Sequence, residues 1–301
     1  THLFNAAAGG TTDDLSSDFE ASGIETHIVG AAATGGSTVD AENITGATTV
    51  GTADGARSVT FNNVAAGAAV AVIGDGVEDF DDPTTPDAVS NIGSITVDIA
   101  GGSPAETAST VFVNNSGPEL GIRNSDGDPR VIQASSIDVD NTTGIDVVVQ
   151  DGDATLTSVA GDAATSITFS SANNLTVGSG VDGDDGLEDD ATTLSNTGDD
   201  ITQSINASGV AGEFTIALGT DLGSDDNDDF EFVGGDGGVN LDVGDQSGNN
   251  ENTVEITTGA GEDTIDITAG VATNGSGDEE TFELTTGDGD DLLNVNGNVG
   301  T

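Results

Sequence analysis

The chain has 301 residues, with 55 acidic and 3 basic side chains, a formal net charge of −52 at pH 7, and no Cys, Met, Trp or Tyr. Its basic residues, Arg57, Arg123 and Arg130, are too few to neutralise phosphates, which effectively excludes nucleic acid as a partner and argues against an anionic membrane surface. The sequence contains no run of about 18 apolar residues, so no membrane insertion is expected. An apolar content of 34%, rich in Val, Ile and Ala, favours a folded chain over a disordered acidic one.

Short runs of alternating apolar and polar residues recur along the whole chain, and each is typical of a half-buried β-strand. In chain order they are residues 23–29, 56–64, 68–74, 93–99, 109–113, 144–149, 165–169, 173–177, 212–218, 252–258, 263–268 and 281–286. The exception is residues 12–22, where Leu15 and Phe19 stand four apart behind Thr12 as a candidate cap, a pattern that predicts a short helix.

Spacing alone leaves a sandwich, a barrel and a stacked solenoid open. Abundant Gly, Asn, Asp and Thr suit frequent tight corners, and Trp and Tyr, which commonly fill sandwich interiors, are absent. We therefore predict an all-β fold, a right-handed parallel β-solenoid, with β-sandwich segments as the alternative.

The five prolines all lie between residues 83 and 129. Proline is excluded from central strands, so this region is predicted to be irregular. The predicted organisation is N-terminal β-solenoid coils over residues 1–76, an irregular insertion or junction over 77–130, and an acidic C-terminal β-solenoid over 131–301. The start at Thr1 suggests a processed chain or a piece of a longer one.

Residues 131–301 contain 36 acidic side chains and no Lys or Arg, so salt bridges within this segment cannot offset the repulsion. Asp outnumbers Glu by 40 to 15 and often stands beside Gly or Asn, which is the usual setting for calcium bound by oxygen ligands. The alternative for many individual carboxylates is a solvated acidic surface. We expect Ca²⁺ as the cofactor.

Two segments fit the nonapeptide pattern Gly-Gly-x-Gly-x-Asp-x-apolar-x, with Thr in place of the first Gly. Residues 258–266 read TGAGEDTID, and residues 286–294 read TGDGDDLLN. In this pattern glycines permit a tight turn, the aspartate adds a carboxylate, and the apolar residue begins an anchoring strand. The candidate metal-binding residues are Gly259, Gly261, Asp263, Gly287, Asp288, Gly289, Asp290 and Asp291.

Weaker matches occur earlier in the chain. Residues 234–242 read GGDGGVNLD, with Val239 in the aspartate position, and add Gly235, Asp236 and Gly237 as candidates. Residues 73–81 and 177–185 add Glu78 and Asp182.

These segments resemble the RTX-type (repeats-in-toxin) calcium-binding proteins and the bacterial surface-layer and secreted surface proteins that carry such repeats. Residues 22–29, 37–50 and 55–76 are similar to the repeated sequence patterns of those surface-layer proteins. The resemblance implies a parallel β-helix, calcium between coils, secretion without disulfides, and assembly into a lattice or filament. In that family the nonapeptides follow one another directly, whereas here matches begin at 234, 258 and 286, which suits larger coils with one acidic corner each.

The expected function is therefore that of an extracellular, non-enzymatic structural protein that binds calcium and self-assembles into a surface layer or filament at the cell surface. Its expected partners are copies of itself, bridged through Asp-rich segments such as 182–190 and 225–229, with a cell-surface glycan as a further candidate. An adhesin segment and, less favoured, a carbohydrate-active enzyme are the alternatives. Only His2 and His27 occur, and no Gly-x-Ser-x-Gly motif accompanies them.

Six Asn-x-Ser/Thr sequons begin at Asn43, Asn114, Asn141, Asn174, Asn206 and Asn274. This number is close to what the composition produces by chance, so glycosylation stays open.

Overall fold

The computed structural model describes residues 2–5, 13–14, 21–30, 36–53, 58–73, 89–101, 108–114, 131–134, 136–150, 152–178, 192–193, 202–218, 229–244, 253–270 and 281–298. Almost all of this part of the chain is β-strand or the short turns between strands, and its one helical element is a single 3-10 turn, Ala41–Asn43.

The strands follow the alternating runs of the sequence. The first half contains β1 (His2–Asn5), β2 (Asp13–Asp14), β3 (Ala21–Ser22), β4 (Thr26–Gly30), β5 (Ser37–Asp40), β6 (Ile44–Thr45), β7 (Thr49–Ala53), β8 (Val59–Val64), β9 (Ala69–Ile73), β10 (Val89–Ile92), β11 (Ile95–Ile99), β12 (Ser109–Asn114), β13 (Val131–Ala134), β14 (Ile137–Asp140) and β15 (Gly144–Gln150). The second half contains β16 (Ala154–Leu156), β17 (Val159–Ala160), β18 (Ser166–Ser171), β19 (Leu175–Val177), β20 (Thr192–Thr193), β21 (Thr202–Val210), β22 (Phe214–Leu218), β23 (Asp229–Val233), β24 (Val239–Val243), β25 (Thr253–Thr257), β26 (Thr264–Gly270), β27 (Thr281–Thr285) and β28 (Leu292–Asn298).

The described strands form three large sheets and one small one, and every pairing is parallel. Sheet I has the order β1-β4-β7-β9-β12-β15-β18-β21-β23-β25-β27, sheet II the order β2-β5-β8-β11-β14-β17-β20, and sheet III the order β10-β13-β16-β19-β22-β24-β26-β28, while β3 pairs with β6. Each strand therefore pairs with the next strand of its own sheet along the chain. The prediction of an all-β fold is confirmed, and the parallel sheets are consistent with a solenoid-like arrangement.

One passage of the chain from a strand of sheet I to the next is called a pass here. Passes differ in length, since a short one joins Thr49 to its partner Ala69, whereas a long one joins Val70 to its partner Val111. From β9 to β21 each pass runs through sheets I, III and II, whereas the strands described after β21 belong to sheets I and III.

The core lies between the sheets and is built from in-register apolar rows. One row of sheet I consists of Val50, Val70, Val111 and Val147, all at 0% exposure. Burying a valine side chain fully contributes about 1.5 to 3 kcal/mol, so such rows can hold the passes together without disulfides. Phe214 adds a second anchor, because its ring centroid lies 5.3 Å from that of Phe169 and 6.3 Å from that of Phe232.

One sequence prediction, the short helix over residues 12–22, differs from these elements. The helix predicted over residues 12–22 is wrong where this segment is described, since Asp13–Asp14 and Ala21–Ser22 are strands paired to β5 and β6. Parallel pairing to the next pass prevails over the weak four-residue apolar spacing. Within 77–130, the strands β10, β11 and β12 continue the three sheets, while all five prolines lie outside the described residues.

Candidate cation-binding corner

The residues of the calcium-like motif lie together at one edge of the molecule. Segments 234–238, 258–263 and 286–291 each connect a strand of sheet I to the following strand of sheet III, and they are called the C-terminal corner here. Register places them above one another, since Phe230 pairs with Val254 and Thr253 with Thr281. The offsets in these pairs equal the spacing of the motif starts at 234, 258 and 286, so each pass contributes one motif to the corner.

The glycines of the corner are explained by close stacking of backbone on backbone. A Cβ on Gly259 would lie 2.4 Å from the carbonyl oxygen of Gly235, and one on Gly261 would lie 2.2 Å from the amide nitrogen of Gly238. A Cβ on Gly289 would lie 2.1 Å from the carbonyl oxygen of Gly261. Contacts this short leave no room for any side chain, so the motif glycines permit adjacent passes to touch.

Asp263 is buried in the corner, with 1% exposure. Its Oδ1 accepts a hydrogen bond of 2.8 Å from the Val239 N–H of the preceding pass, and its Oδ2 accepts one of 2.5 Å from the Thr258 hydroxyl. Thr258 is the residue that replaces the first glycine of the motif, and it is itself 4% exposed. Both carboxylate oxygens are thus held by protein donors, and calcium binding by Asp263 stays a prediction.

The same bond repeats one pass later. The Asp263 N–H donates to Asp291 Oδ1 at 3.2 Å, so each motif aspartate accepts from the equivalent amide of the pass before it. Asp236 forms a link in the opposite direction, because its Oδ1 accepts from the Ala260 N–H at 3.3 Å. The motif aspartates therefore join successive passes.

The remaining candidates of the corner face solvent. Asp236, Asp288 and Asp290 are exposed, and Asp291 is half-buried. These carboxylates are accessible to a cation, whereas Asp182 and Glu78 lie outside the described residues. Within the described ranges, no three His, Cys, Asp or Glu side chains are gathered in a way that could hold a metal ion.

A second group of carboxylates, which the sequence analysis did not single out, lies on the outer face of sheet II. Asp98 and Asp140 pair in register, and Asn141, in the left-handed region with φ 59°, donates from Nδ2 to Asp98 Oδ1 at 2.6 Å. The Asn141 N–H donates to Asp162 Oδ1 at 2.8 Å. The alternating sequence IDVD at 137–140, which puts Asp138 and Asp140 on one strand face, is the signal that could have revealed this cluster.

Proton affinity is raised in this cluster. Partial burial, followed by the neighbouring Asp140 and Asp162 carboxylates, raises the pKa of Asp138 to about 6. Partial burial also raises the pKa of Asp140. On sheet III, partial burial and the adjacent Asp266 carboxylate raise the pKa of Asp242. Crowded carboxylates repel one another, so the charged form of each is disfavoured and its pKa rises. A bound cation would reduce this repulsion.

Acidic side chains also stack along the outer face of sheet I. Glu231 pairs with Glu255, which pairs with Glu283, and all three are exposed. Neighbouring strands lie about 4.8 Å apart, so these carboxylates form a row with one charge per pass. The three arginines lie outside the described residues, so no described Lys or Arg faces this row.

His27 has a structural setting. It is 1% exposed in the core, and its Nε2 lies 2.9 Å from the Ile24 carbonyl oxygen.

No protein-family model matches the chain, and no curated protein or solved structure matches it. Among the described residues there is also no helix with the length and apolar character needed to cross a membrane.

Proposed function

We propose that the chain is an extracellular structural protein, a right-handed parallel β-solenoid that binds calcium and self-assembles into a surface layer or filament. The observation that carries this proposal is the in-register stacking of outer carboxylates, Glu231 on Glu255 on Glu283 and Asp242 on Asp266, in a segment without Lys or Arg. A chain with a net charge of −52 needs counterions to pack its passes and to approach another copy.

The repulsion within one row can be sized. Two unit charges about 4.8 Å apart in water repel by roughly 1 kcal/mol, and the effect adds along the row. Calcium binds carboxylate oxygens at about 2.3 to 2.6 Å, so one ion can bridge side chains on adjacent strands. Monovalent ions only screen the same charges.

Bridging between copies would use exposed carboxylates. Asp236, Asp288 and Asp290 of the C-terminal corner are solvent-facing, as are Glu231, Glu255 and Glu283. The Asp-rich segments 182–190 and 225–229 were predicted to serve the same purpose, and all of their residues except Asp229 lie outside the described part of the chain. Divalent ions shared between such surfaces convert repulsion between copies into contact.

The test is light scattering and circular dichroism across a calcium series, with sodium chloride at matched ionic strength. Assembly is expected at millimolar calcium, should reverse in chelator, and should be absent with sodium alone. Replacing Glu231, Glu255 and Glu283 by Gln should shift the calcium requirement, while Thr253→Ser, on the same strand as Glu255, serves as the control. A protein that stays monomeric at every calcium concentration would contradict the proposal and leave the adhesin alternative ahead.

A further inference from the structure

Asn206 lies in β21 on the outer face of sheet I, at a β-bulge. Thr168 pairs with Asn206 and Ser170 with Gly209, so β21 contains one more residue than β18 between these pairs. The bulge leaves Asn206, Ser208 and Gly209 exposed, while Ala207 stays buried at 0% exposure. Residues 206–208 read NAS, a sequon, and the bulge presents both its Asn and its Ser to solvent.

The two polar side chains of this sequon are joined. The Ser208 N–H donates to Asn206 Oδ1 at 3.0 Å, and the Ser208 hydroxyl donates to the same oxygen at 2.7 Å. This is an Asx turn closed a second time by the hydroxyl. Both hydrogen bonds are accepted by the amide oxygen, which orients the amide group, and Nδ2 of this exposed residue makes no hydrogen bond to any described residue.

The other sequons with described side chains are built differently. Asn141 uses its Nδ2 to bind Asp98 Oδ1 at 2.6 Å. Asn174 is exposed and its Nδ2 also has no described partner, but its Oδ1 accepts from the Glu213 N–H of the following pass at 2.9 Å instead of from the hydroxyl of its own sequon. The Asn174 N–H donates to Asp153 Oδ1 at 3.0 Å. Both therefore connect passes. The side chains of Asn43 and Asn114, and all of Asn274, lie outside the described residues.

The surroundings of Asn206 are unusually low in charge for this chain. Its in-register neighbours on sheet I are Thr168 on one side and Val233 on the other, and Val233 is followed by Thr257 and Thr285. None of these carries a carboxylate, and the carboxylate of this row belongs to Asp146, which pairs with Thr168 on its other side, two strands from Asn206. A phosphate-bearing reagent would meet less repulsion along this row than along the glutamate row beside it.

We propose that Asn206 is an N-glycosylation acceptor, modified by a transferase that uses a lipid-phosphate-linked oligosaccharide. Asn206 Nδ2 bonds to the anomeric carbon of the donor sugar. The bond from that carbon to the phosphate oxygen breaks, the phosphate leaves with the electron pair, and one amide proton passes to a base of the transferase. The two Ser208 donors stabilise the negative charge that develops on Oδ1 as the proton leaves. The proposal rests on the extracellular location proposed above.

The test is glycopeptide mass spectrometry on protein from the surface of the cells that make it. Because residues 131–301 contain no Lys or Arg, trypsin cannot cleave there, and a protease that cleaves at Asp or Glu is used. The peptide containing Asn206 should carry a glycan, and the peptide containing Asn174 should be unmodified. Unmodified Asn206, or a glycan on Asn174 in its place, would overturn the assignment.

Variants expressed in the same cells test the role of the hydroxyl. Ser208→Ala should lower occupancy at Asn206 at least tenfold, and Ser208→Thr, which keeps a hydroxyl, should preserve it. Equal glycan occupancy of Asn206 in Ser208→Ala and wild type would refute the proposed role of the hydroxyl. If Ser208→Ala does not fold, the occupancy of Asn206 in the wild-type and Ser208→Thr proteins provides the test. Calcium-dependent scattering on the same preparations separates the two proposals: assembly without a glycan overturns only this one, and a glycan without assembly overturns only the structural-polymer proposal.

Discussion

The buried carboxylate of Asp263 provides the sharpest test of how the C-terminal corner is held together. If its role is to accept hydrogen bonds from the Val239 N–H and the Thr258 hydroxyl, Asp263→Ala leaves two buried donors without a partner. Each such donor costs about 1 to 3 kcal/mol, so the expected loss is roughly 4 kcal/mol. That is a large fraction of the total stability of a folded domain, which is typically about 5 to 15 kcal/mol.

Asp263→Asn separates the hydrogen-bonding role from calcium ligation. The amide can still accept from Val239 and can donate to the Thr258 hydroxyl, so the expected loss is only about 1 kcal/mol. Thr258→Val removes one donor at nearly constant volume and should cost about 1 to 2 kcal/mol. If Asp263 were instead a calcium ligand, both the Ala and the Asn variants would remove its negative charge, and both would weaken calcium binding.

The assay is urea unfolding in chelator, monitored by circular dichroism. Hydrogen exchange of peptides covering residues 229–270 measures the local stability of the corner. The expected order of stability is wild type, then Asp263→Asn, then Thr258→Val, then Asp263→Ala. Thr253→Ser, a conservative change at the first residue of β25, should shift stability by less than about 0.5 kcal/mol. If Asp263→Ala unfolds like wild type in chelator while both Asp263 variants lose stabilisation by calcium, Asp263 acts as a calcium ligand and the hydrogen-bonding role is refuted.

Two further predictions concern pH and packing. The folded-state pKa of Asp138, about 6, exceeds its ordinary value of 3.8, so the stability that it contributes is fully present below pH 3.8 and is lost as pH rises through 6. In chelator, acidification from pH 8 to 5 should therefore stabilise the protein by about 1 kcal/mol after allowance for solvent screening. Asp138→Asn should remove this contribution from the dependence of the melting temperature on pH. An unchanged pH dependence in Asp138→Asn would count against the carboxylate cluster. Gly259→Ala should cost about 3 kcal/mol, because its Cβ would lie 2.4 Å from the Gly235 carbonyl oxygen. Gly67→Ala, with a φ of 81° and open space, should cost only about 1 kcal/mol in the same urea titration, and equal losses would refute the stacking argument.

The sequence by itself determined the secondary-structure class and the spacing of the passes in the C-terminal part. Alternation with a period of two is a local property of the chain, so β25 and β26 could be recognised from the runs at 252–258 and 263–268. Motif starts at 234, 258 and 286 indicated one corner per pass, which the pairing of Phe230 with Val254 and of Thr253 with Thr281 confirms. A repeat in the sequence therefore predicts which segments stack, because each pass packs mainly on the passes next to it.

Only the tertiary structure decided which atoms meet between passes. In the described part of residues 12–22, where a helix was predicted, Asp13–Asp14 and Ala21–Ser22 are strands. Pairing with another pass is a long-range interaction that no local pattern encodes. In the sequence, Thr258 is a mismatch at the first glycine position of the motif. Only the structure shows that its hydroxyl donates a hydrogen bond to the Asp263 carboxylate. Likewise, Asp98 and Asp140 are far apart in the chain, and only parallel register makes them neighbours that share one electrostatic environment.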